Sequence, residues 1–203
     1  FVTASHATQF NLEMPFGKGL IVSGNNRFYA LDKKQFREFT TFLRGVLFNG
    51  KEDDLLSFLN RIKAPVIETR PVPAVWVAAG NCLIGDAKKT KNSMAVTALS
   101  RYGFNQLVGY TVPSWYGKGG WGTLGLLFSN HDASSLAEAW YLNNQFILDE
   151  TMTRFPKLMD VHFNSPDING IKNDPDFARG MNSAGYGLSL IHISEPTRRT
   201  PIS

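Results

Sequence analysis

Ala74-Val75-Trp76-Val77-Ala78-Ala79 is an uninterrupted run of apolar residues, bounded by Pro73 on one side and Gly80 on the other. A short run of this kind, closed off by Pro and Gly, fits a strand that is buried on both faces. Such strands occur in parallel sheets whose two faces are covered by helices. The sequence therefore predicts an α/β fold with this strand inside a mainly parallel sheet.

The residues after this run continue the α/β pattern. A helix is predicted from Met94 to Tyr102, with Asn92 or Ser93 as its N-cap and Gly103 at its end. A second strand is predicted from Gln106 to Thr111. Strand, helix and strand in this order form the crossover unit that joins parallel strands.

The region beyond the second strand is predicted to contain a loop and a long helix. Residues 112–130 are rich in glycine and aromatic residues and are predicted to form a loop. Ser134 or Ser135 then caps a helix that runs from Leu136 to about Phe155. Residues 157–187 lack a clear pattern and are expected to continue the domain irregularly.

The residues before the run predict a strand, a hairpin and a helical pair. Residues 1–5 are predicted to end a strand, and the polar turn Ser5-His6-Ala7-Thr8 follows. Gly24-Asn25-Asn26 separates two short apolar runs, which predicts a hairpin over residues 19–31. Apolar residues at helical spacing predict two helices between residues 35 and 62, interpreted as an insertion.

Composition excludes several classes of protein. The chain has 203 residues, of which 43% are apolar and 19% charged, and a disordered chain would have far fewer apolar residues. No apolar stretch is long enough for a transmembrane helix. The net charge is 21 − 17 = +4, and the longest basic cluster is only Lys88-Lys89-Thr90-Lys91, so nucleic-acid binding is not expected. A single cysteine excludes an internal disulfide framework and a cysteine-rich zinc site.

The last residues, 188–203, resemble the translation of a transposon-type sequencing adapter. They are expected to be an artefact of sequence assembly and are excluded from functional interpretation. The domain is accordingly expected to occupy residues 1–156 with its continuation to Gly187, and to be incomplete at its N-terminus.

Two reactive side chains follow predicted strands. His6 follows the first strand, and Cys82 follows the apolar run at 74–79. Ligands of open α/β sheets bind beyond the carboxyl ends of the strands. An imidazole beside a thiol can deprotonate it, so the pair could form a nucleophile and its base. A buried, inert Cys82 and an ordinary turn histidine at position 6 are the competing interpretation.

The chain resembles the caspase-like fold at these residues, and within it the gingipain and clostripain branches. Ala79-Gly80-Asn81-Cys82-Leu83-Ile84-Gly85 is similar to the family's cysteine motif of apolar run, small residue, Cys, x, x and Gly. The crossover helix and strand that follow, and Ser135-Leu136-Ala137-Glu138-Ala139-Trp140, occur in the family's order. The resemblance covers residues 1–31 and 72–155. It implies a three-layer fold and favours a secreted or cell-envelope bacterial protein.

The resemblance implies a cysteine endopeptidase that acts on peptides or proteins. Cys82 would be the nucleophile, His6 the general base, and the backbone N–H groups of Cys82 and Ala7 the oxyanion hole. The family has His-Gly where this chain has His6-Ala7, and residues 7–81 separate the two candidate residues.

Four further residues are candidates for substrate contact. Trp115, Tyr116 and Trp121 offer broad apolar faces within the glycine-rich loop 112–122, although they could equally fill a core edge. Asp86 could face a basic substrate side chain, or simply be solvated.

Neither a cofactor nor a metal is expected. Gly117, Gly119 and Gly122 match G-x-G-x-x-G, but a dinucleotide site needs a helix that opens there and an acidic residue about 20 positions later. The sequence predicts neither of these, and no His, Asp and Glu grouping has metal-ligand spacing.

Two other functions remain open. The domain could be a catalytically inactive module of a cell-surface protein that binds peptide or glycan through the aromatic-glycine loop. It could also be a structural domain of a larger envelope protein.

Overall fold

A parallel sheet is present around Trp76, as the apolar run predicts. The computed structural model describes residues 1–14, 18–49, 54–68, 73–87, 92–111, 118–129, 135–154 and 156. The strands are β1 (Val2–Thr3), β2 (Ala7–Thr8), β3 (Asn11–Glu13), β4 (Leu20–Gly24), β5 (Arg27–Leu31), β6 (Ala74–Ala78) and β7 (Phe104–Val108). The helices are α1 (Lys33–Asn49), α2 (Asp54–Arg61), α3 (Met94–Arg101), α4 (Lys118–Ser129) and α5 (Leu136–Arg154). The predicted segments 157–187 and 188–203 lie outside the described residues.

Strand β6 lies in the middle of a three-stranded parallel sheet with the order β1-β6-β7. Val77 is opposite Val2 on one side and Val108 on the other. Trp76 and Ala78 pack with α3 on one face, whereas Val77 and Ala79 pack with residues of α4 and α5 on the other. The prediction of a strand buried on both faces of a parallel sheet is therefore confirmed.

The chain between β1 and β6 forms a second, antiparallel sheet with the order β2-β3-β4-β5. Helices α1 and α2 cover one face of it, where Phe39, Phe58 and Leu59 pack against Val22 and Tyr29. The two helices predicted between residues 35 and 62 are thus present. The expectation of a mainly parallel sheet holds only for three strands, because four others form this separate sheet.

The hairpin of β4 and β5 turns through two asparagines. Asn25 and Asn26 have φ angles of +46° and +58°. Two successive left-handed residues form the turn type whose twist matches that of the flanking strands, and asparagine tolerates this conformation better than other non-glycine residues. The predicted hairpin is confirmed.

The segment predicted as a polar turn at residues 5–8 is partly a strand, so that prediction is wrong at its end. Ala7–Thr8 pairs with Asn11–Glu13 through a tight turn in which Thr8 Oγ1 accepts the Phe10 N–H at 3.2 Å. Strands of two or three residues are too short to show an alternating pattern. Sequence periodicity could not detect them.

The helix caps are only partly as predicted. Ser135 Oγ accepts the Glu138 N–H at 3.2 Å, and Glu138 accepts the Ser135 N–H at 2.7 Å, which completes a capping box on α5. Ser93 occupies the N-cap position of α3 but makes no capping hydrogen bond. Its hydroxyl donates instead to the Asp86 carbonyl at 3.1 Å.

The prediction of a loop over residues 112–130 is wrong for residues 118–129, which form α4. Glycines lower intrinsic helix propensity, but packing can outweigh that cost. Gly120 lies directly on the backbone of Ala79. A Cβ added to Gly120 would come within 2.5 Å of the Cα of Ala79. Leu124 and Leu127 pack into the core shared with β6 and α5. The glycines therefore permit the close approach that holds this helix against the sheet.

We expect Gly120→Ala to lower the free energy of unfolding by about 2–3 kcal/mol, because the new methyl group must displace the Ala79 backbone at the end of β6. Gly125 is the matched control, since a Cβ there meets no atom within 4 Å. Gly125→Ala should stabilise the protein by about 0.5–1 kcal/mol through helix propensity alone. Urea denaturation of the two variants measures both effects, and equal changes would contradict this packing of α4.

Candidate functional site

The candidate site lies at the carboxyl edge of the parallel sheet. β1 and β6 run parallel, with Thr3 opposite Ala78, so the turns that leave both strands emerge at one edge. His6 is three residues beyond the end of β1 and is exposed. Cys82 is four residues beyond the end of β6 and is half-buried. The structure thus brings the two predicted residues to the same edge of the sheet.

A buried asparagine connects these two turns. Asn81 is 0% exposed and immediately precedes Cys82. Its Nδ2 donates to the Ser5 carbonyl at 2.7 Å and to Ser5 Oγ at 3.3 Å, and Ser5 immediately precedes His6. Its Oδ1 accepts the Thr3 hydroxyl at 2.5 Å. The residues that precede the nucleophile and base candidates are therefore hydrogen-bonded to each other.

The turn that carries Cys82 is anchored at its far end by the residues that follow β7. Gly85 donates its N–H to the Tyr110 carbonyl at 2.8 Å, and a Cβ on Gly85 would come within 2.5 Å of the Gly109 carbonyl oxygen. Leu83, next to Cys82, has a φ of +57°. A branched residue in this left-handed region is strained by about 1–2 kcal/mol. Such strain concentrates at functional sites, where the surrounding structure enforces it.

The backbone N–H of Ala7 points away from the antiparallel ladder. The Glu13 N–H donates to the His6 carbonyl at 2.9 Å, which makes Ala7 and Leu12 the non-hydrogen-bonded pair of the ladder. β2 is an edge strand, so the Ala7 N–H is directed outward from the sheet. The role of this N–H as a donor to an anionic oxygen stays a prediction.

Tyr110 joins the end of β6 to the first turn of α4. Its hydroxyl accepts the Gly120 N–H at 2.6 Å and donates to the Ala79 carbonyl at 3.4 Å. Burial raises the pKa of Tyr110 to about 12, the Gly120 N–H lowers it in part, and the electrostatic interaction with Cys82 raises it slightly further. Tyr110 therefore stays neutral at physiological pH and lies within electrostatic range of the thiol.

Trp121 stands at the same edge, although it lies on a helix rather than on the predicted loop. It is 48% exposed, and its Nε1 lies 3.9 Å from the position that a Cβ on Gly80 would occupy. Its indole is therefore beside the turn that leads to Cys82. Trp115 and Tyr116, the other two aromatic candidates, lie outside the described residues.

Asp86 lies on the Cys82 turn and is half-buried. Its N–H donates to the Leu83 carbonyl at 3.0 Å, and its carbonyl accepts the Ser93 hydroxyl. These backbone contacts fix its place in the turn, and its contact with substrate stays a prediction.

No family model, curated protein or solved structure matches this chain.

The described residues contain no group of three or more His, Cys, Asp or Glu side chains that could hold a metal ion. No helix within the described ranges is both long and apolar enough to cross a membrane.

A helix does open within the G-x-G-x-x-G stretch, so the expectation that none opens there is wrong. A Cβ on Gly122 would fall 1.9 Å from Asn143 Oδ1, so this glycine is needed for the packing of α4 on α5.

Sequence reasoning missed Asn81 and Tyr110. Both are buried residues with polar groups at the ends of strands, and a polar group placed there must find a partner. That rule identifies Asn81 as a residue of interest, since it directly follows the buried strand and Gly80. It does not identify which residues the carboxamide would bind.

The raised pKa of Tyr110 predicts a loss of stability in alkali. The unfolded chain loses the phenolic proton near its ordinary pKa of about 10, while the folded protein keeps it until about 12. The folded state thus binds more protons between these values, and stability falls as the pH rises through them. Between about pH 9 and pH 11 the wild type should lose about 1 kcal/mol more than Tyr110→Phe. Urea denaturation at both pH values measures the difference, and parallel losses would contradict the assignment.

Proposed function

We propose that this chain carries the catalytic edge of a cysteine endopeptidase of the caspase-like, gingipain and clostripain type. The observation that supports the proposal most is the parallel pairing of β1 and β6, continued by the hydrogen bonds from Asn81 to Ser5. Together they place His6 and Cys82 on adjacent turns at one edge of the sheet. This edge is where ligands of open α/β sheets bind.

The reaction proceeds in two halves. His6 takes the thiol proton of Cys82, and the sulfur attacks the carbonyl carbon of the scissile peptide bond. The backbone N–H groups of Cys82 and Ala7 bind the oxygen that becomes negative. The C–N bond breaks as the imidazolium returns its proton to the leaving amine, which leaves a thioester on Cys82. Water, deprotonated by His6, then releases the acid product and restores the thiol.

Trp121 forms an apolar wall beside this reaction centre. A half-exposed indole next to Gly80 offers a flat surface on which a peptide side chain or backbone can rest. The same surface also suits the second candidate function, a module that binds peptide without cleaving it. The half-burial of Cys82 favours the enzyme, because a purely structural cysteine is normally buried completely.

A peptidyl acyloxymethyl ketone library, varied at the residue before the reactive group, distinguishes the two functions. Cys82 is the only cysteine of the chain, so a thiol adduct found by intact mass has one possible position. We expect one adduct on the native protein, faster than on the urea-unfolded chain, and none on Cys82→Ala. An adduct that forms only after unfolding would support the binding module and contradict the peptidase.

A further inference from the structure

Asn81 takes no part in the proposed reaction, yet both polar atoms of its buried side chain are hydrogen-bonded. We propose that Asn81 is a positioning residue, whose buried carboxamide holds the His6 turn in register with the Cys82 turn. The inference rests on the proposed peptidase function, because it concerns the relative placement of the base and the nucleophile.

Both ends of the carboxamide are used. Oδ1 accepts the hydroxyl of Thr3, and Nδ2 donates to the carbonyl and the hydroxyl of Ser5. Thr3 Oγ1 in turn accepts the Trp76 indole N–H at 2.8 Å, and the Ser5 hydroxyl donates to the Glu13 carbonyl at 2.6 Å. Each polar partner of Asn81 is therefore itself fixed, so the carboxamide can occupy only one orientation.

Asn81 lies where its hydrogen bonds can hold the His6 turn and the Cys82 turn together. The backbone pairing of β1 with β6 ends near Gly80, whose N–H reaches the Thr3 carbonyl at 3.4 Å. Beyond this point the chain after β1 turns into the antiparallel sheet, while the chain after β6 turns toward Tyr110. Asn81 spans the gap where the two paths separate, one residue before Cys82 and bonded to the residue before His6.

Loss of this connection should affect chemistry more than substrate binding. A displacement of about 1 Å between reacting groups can lower a rate by about 100-fold, even when the fold persists. The substrate wall at Trp121 is on α4, whereas the hydrogen bonds of Asn81 run to Thr3 and Ser5, on the His6 side of the site. We therefore expect Asn81→Ala to lower kcat by about 10–100-fold, with KM changed by less than about threefold.

Ser23→Ala is the matched control for this test. Ser23 is also 0% exposed, and its hydroxyl donates its one proton to the adjacent carbonyls of Phe10 and Asn92. It lies in β4, in the antiparallel sheet. Both substitutions should lower the urea midpoint of unfolding, but only Asn81→Ala should lower kcat.

A double-mutant cycle between Asn81 and His6 separates positioning from general stability. If Asn81 acts by placing His6, then His6→Ala should cost much less in the Asn81→Ala background than in the wild type. Thr3→Val removes one partner of Asn81 at nearly constant shape and should lower kcat in the same direction by a smaller factor. If Asn81→Ala does not fold, the kcat of Thr3→Val tests the positioning role instead.

Failure of the positioning role and failure of the proposed peptidase function give different results. Additive losses in kcat, or a folded Asn81→Ala or Thr3→Val variant with wild-type kcat, would overturn the positioning role while the peptidase proposal stands. A wild-type protein that neither cleaves peptides nor forms the Cys82 adduct would overturn the proposed function, and this inference with it.

Discussion

Replacing Cys82 with Ala is expected to lower peptide hydrolysis by at least about 10⁴-fold, which leaves no measurable turnover. The reason is that the thioester cannot form without a sulfur nucleophile, and no second cysteine exists in the chain to replace it. Hydrolysis of a fluorogenic peptide, followed under conditions of single and multiple turnover, measures the loss.

The control for this prediction is stability. Cys82 is only half-buried, and Ala removes one atom from its side chain, so the urea midpoint should change little. Cys82→Ser keeps the size of the side chain and should be as inactive as Cys82→Ala. Hydrolysis that survives both substitutions would assign the activity to another group and contradict the proposed mechanism.

Replacing His6 with Ala is expected to lower kcat/KM by about 10²–10⁴-fold, the range typical of a lost general base. The side chain is exposed, and the hydrogen bond at this residue uses its backbone carbonyl, which Ala retains. The variant should therefore be as stable as the wild type, within about 0.5 kcal/mol.

Added imidazole makes this second prediction more specific. A small base that enters the space left by the His6 ring should restore part of the rate in His6→Ala and should not accelerate Cys82→Ala. Unchanged kcat/KM in His6→Ala would show that another group deprotonates the thiol. A loss that imidazole leaves unrestored, accompanied by lower stability, would point to a structural role for His6.

The central part of the fold could be predicted because its residues carry strong patterns. The run at 74–79 is short, apolar throughout and bounded by Pro73 and Gly80, which favours a doubly buried strand, and Trp76 and Val77 pack on its opposite faces. The spacing of apolar residues predicted α1 and α2, and Gly24-Asn25-Asn26 predicted the turn of the hairpin. In each case, local sequence and tertiary packing favour the same structure.

Other parts of the fold could not be predicted because tertiary contacts decide them. α4 contains glycines that favour a loop by propensity, but Gly120 and Gly122 are required for its contacts with Ala79 and Asn143. The two-residue strand β2 is defined by its pairing with β3, which no local pattern encodes. Sequence patterns report such contacts only after the neighbouring elements are known.

The candidate site, like the fold, could be predicted from the sequence only in part. The rule that reactive residues follow parallel strands predicted that His6 and Cys82 would meet at one edge, and the β1–β6 pairing places their turns there. The hydrogen bonds of Asn81 to Thr3 and Ser5 and the position of Trp121 beside Gly80 bring together residues far apart in sequence. Spacing along the chain contains no information about them.

The rate at which iodoacetamide alkylates Cys82 tests the central claim most directly, because it needs no knowledge of the substrate. The claim is that His6 activates the thiol of Cys82 across the edge of the sheet. At neutral pH, native Cys82 should react faster than the same cysteine in the urea-unfolded chain, and His6→Ala should slow the native reaction by about tenfold or more. A native Cys82 that reacts no faster than in the unfolded chain, at a rate unaffected by His6→Ala, would contradict the account.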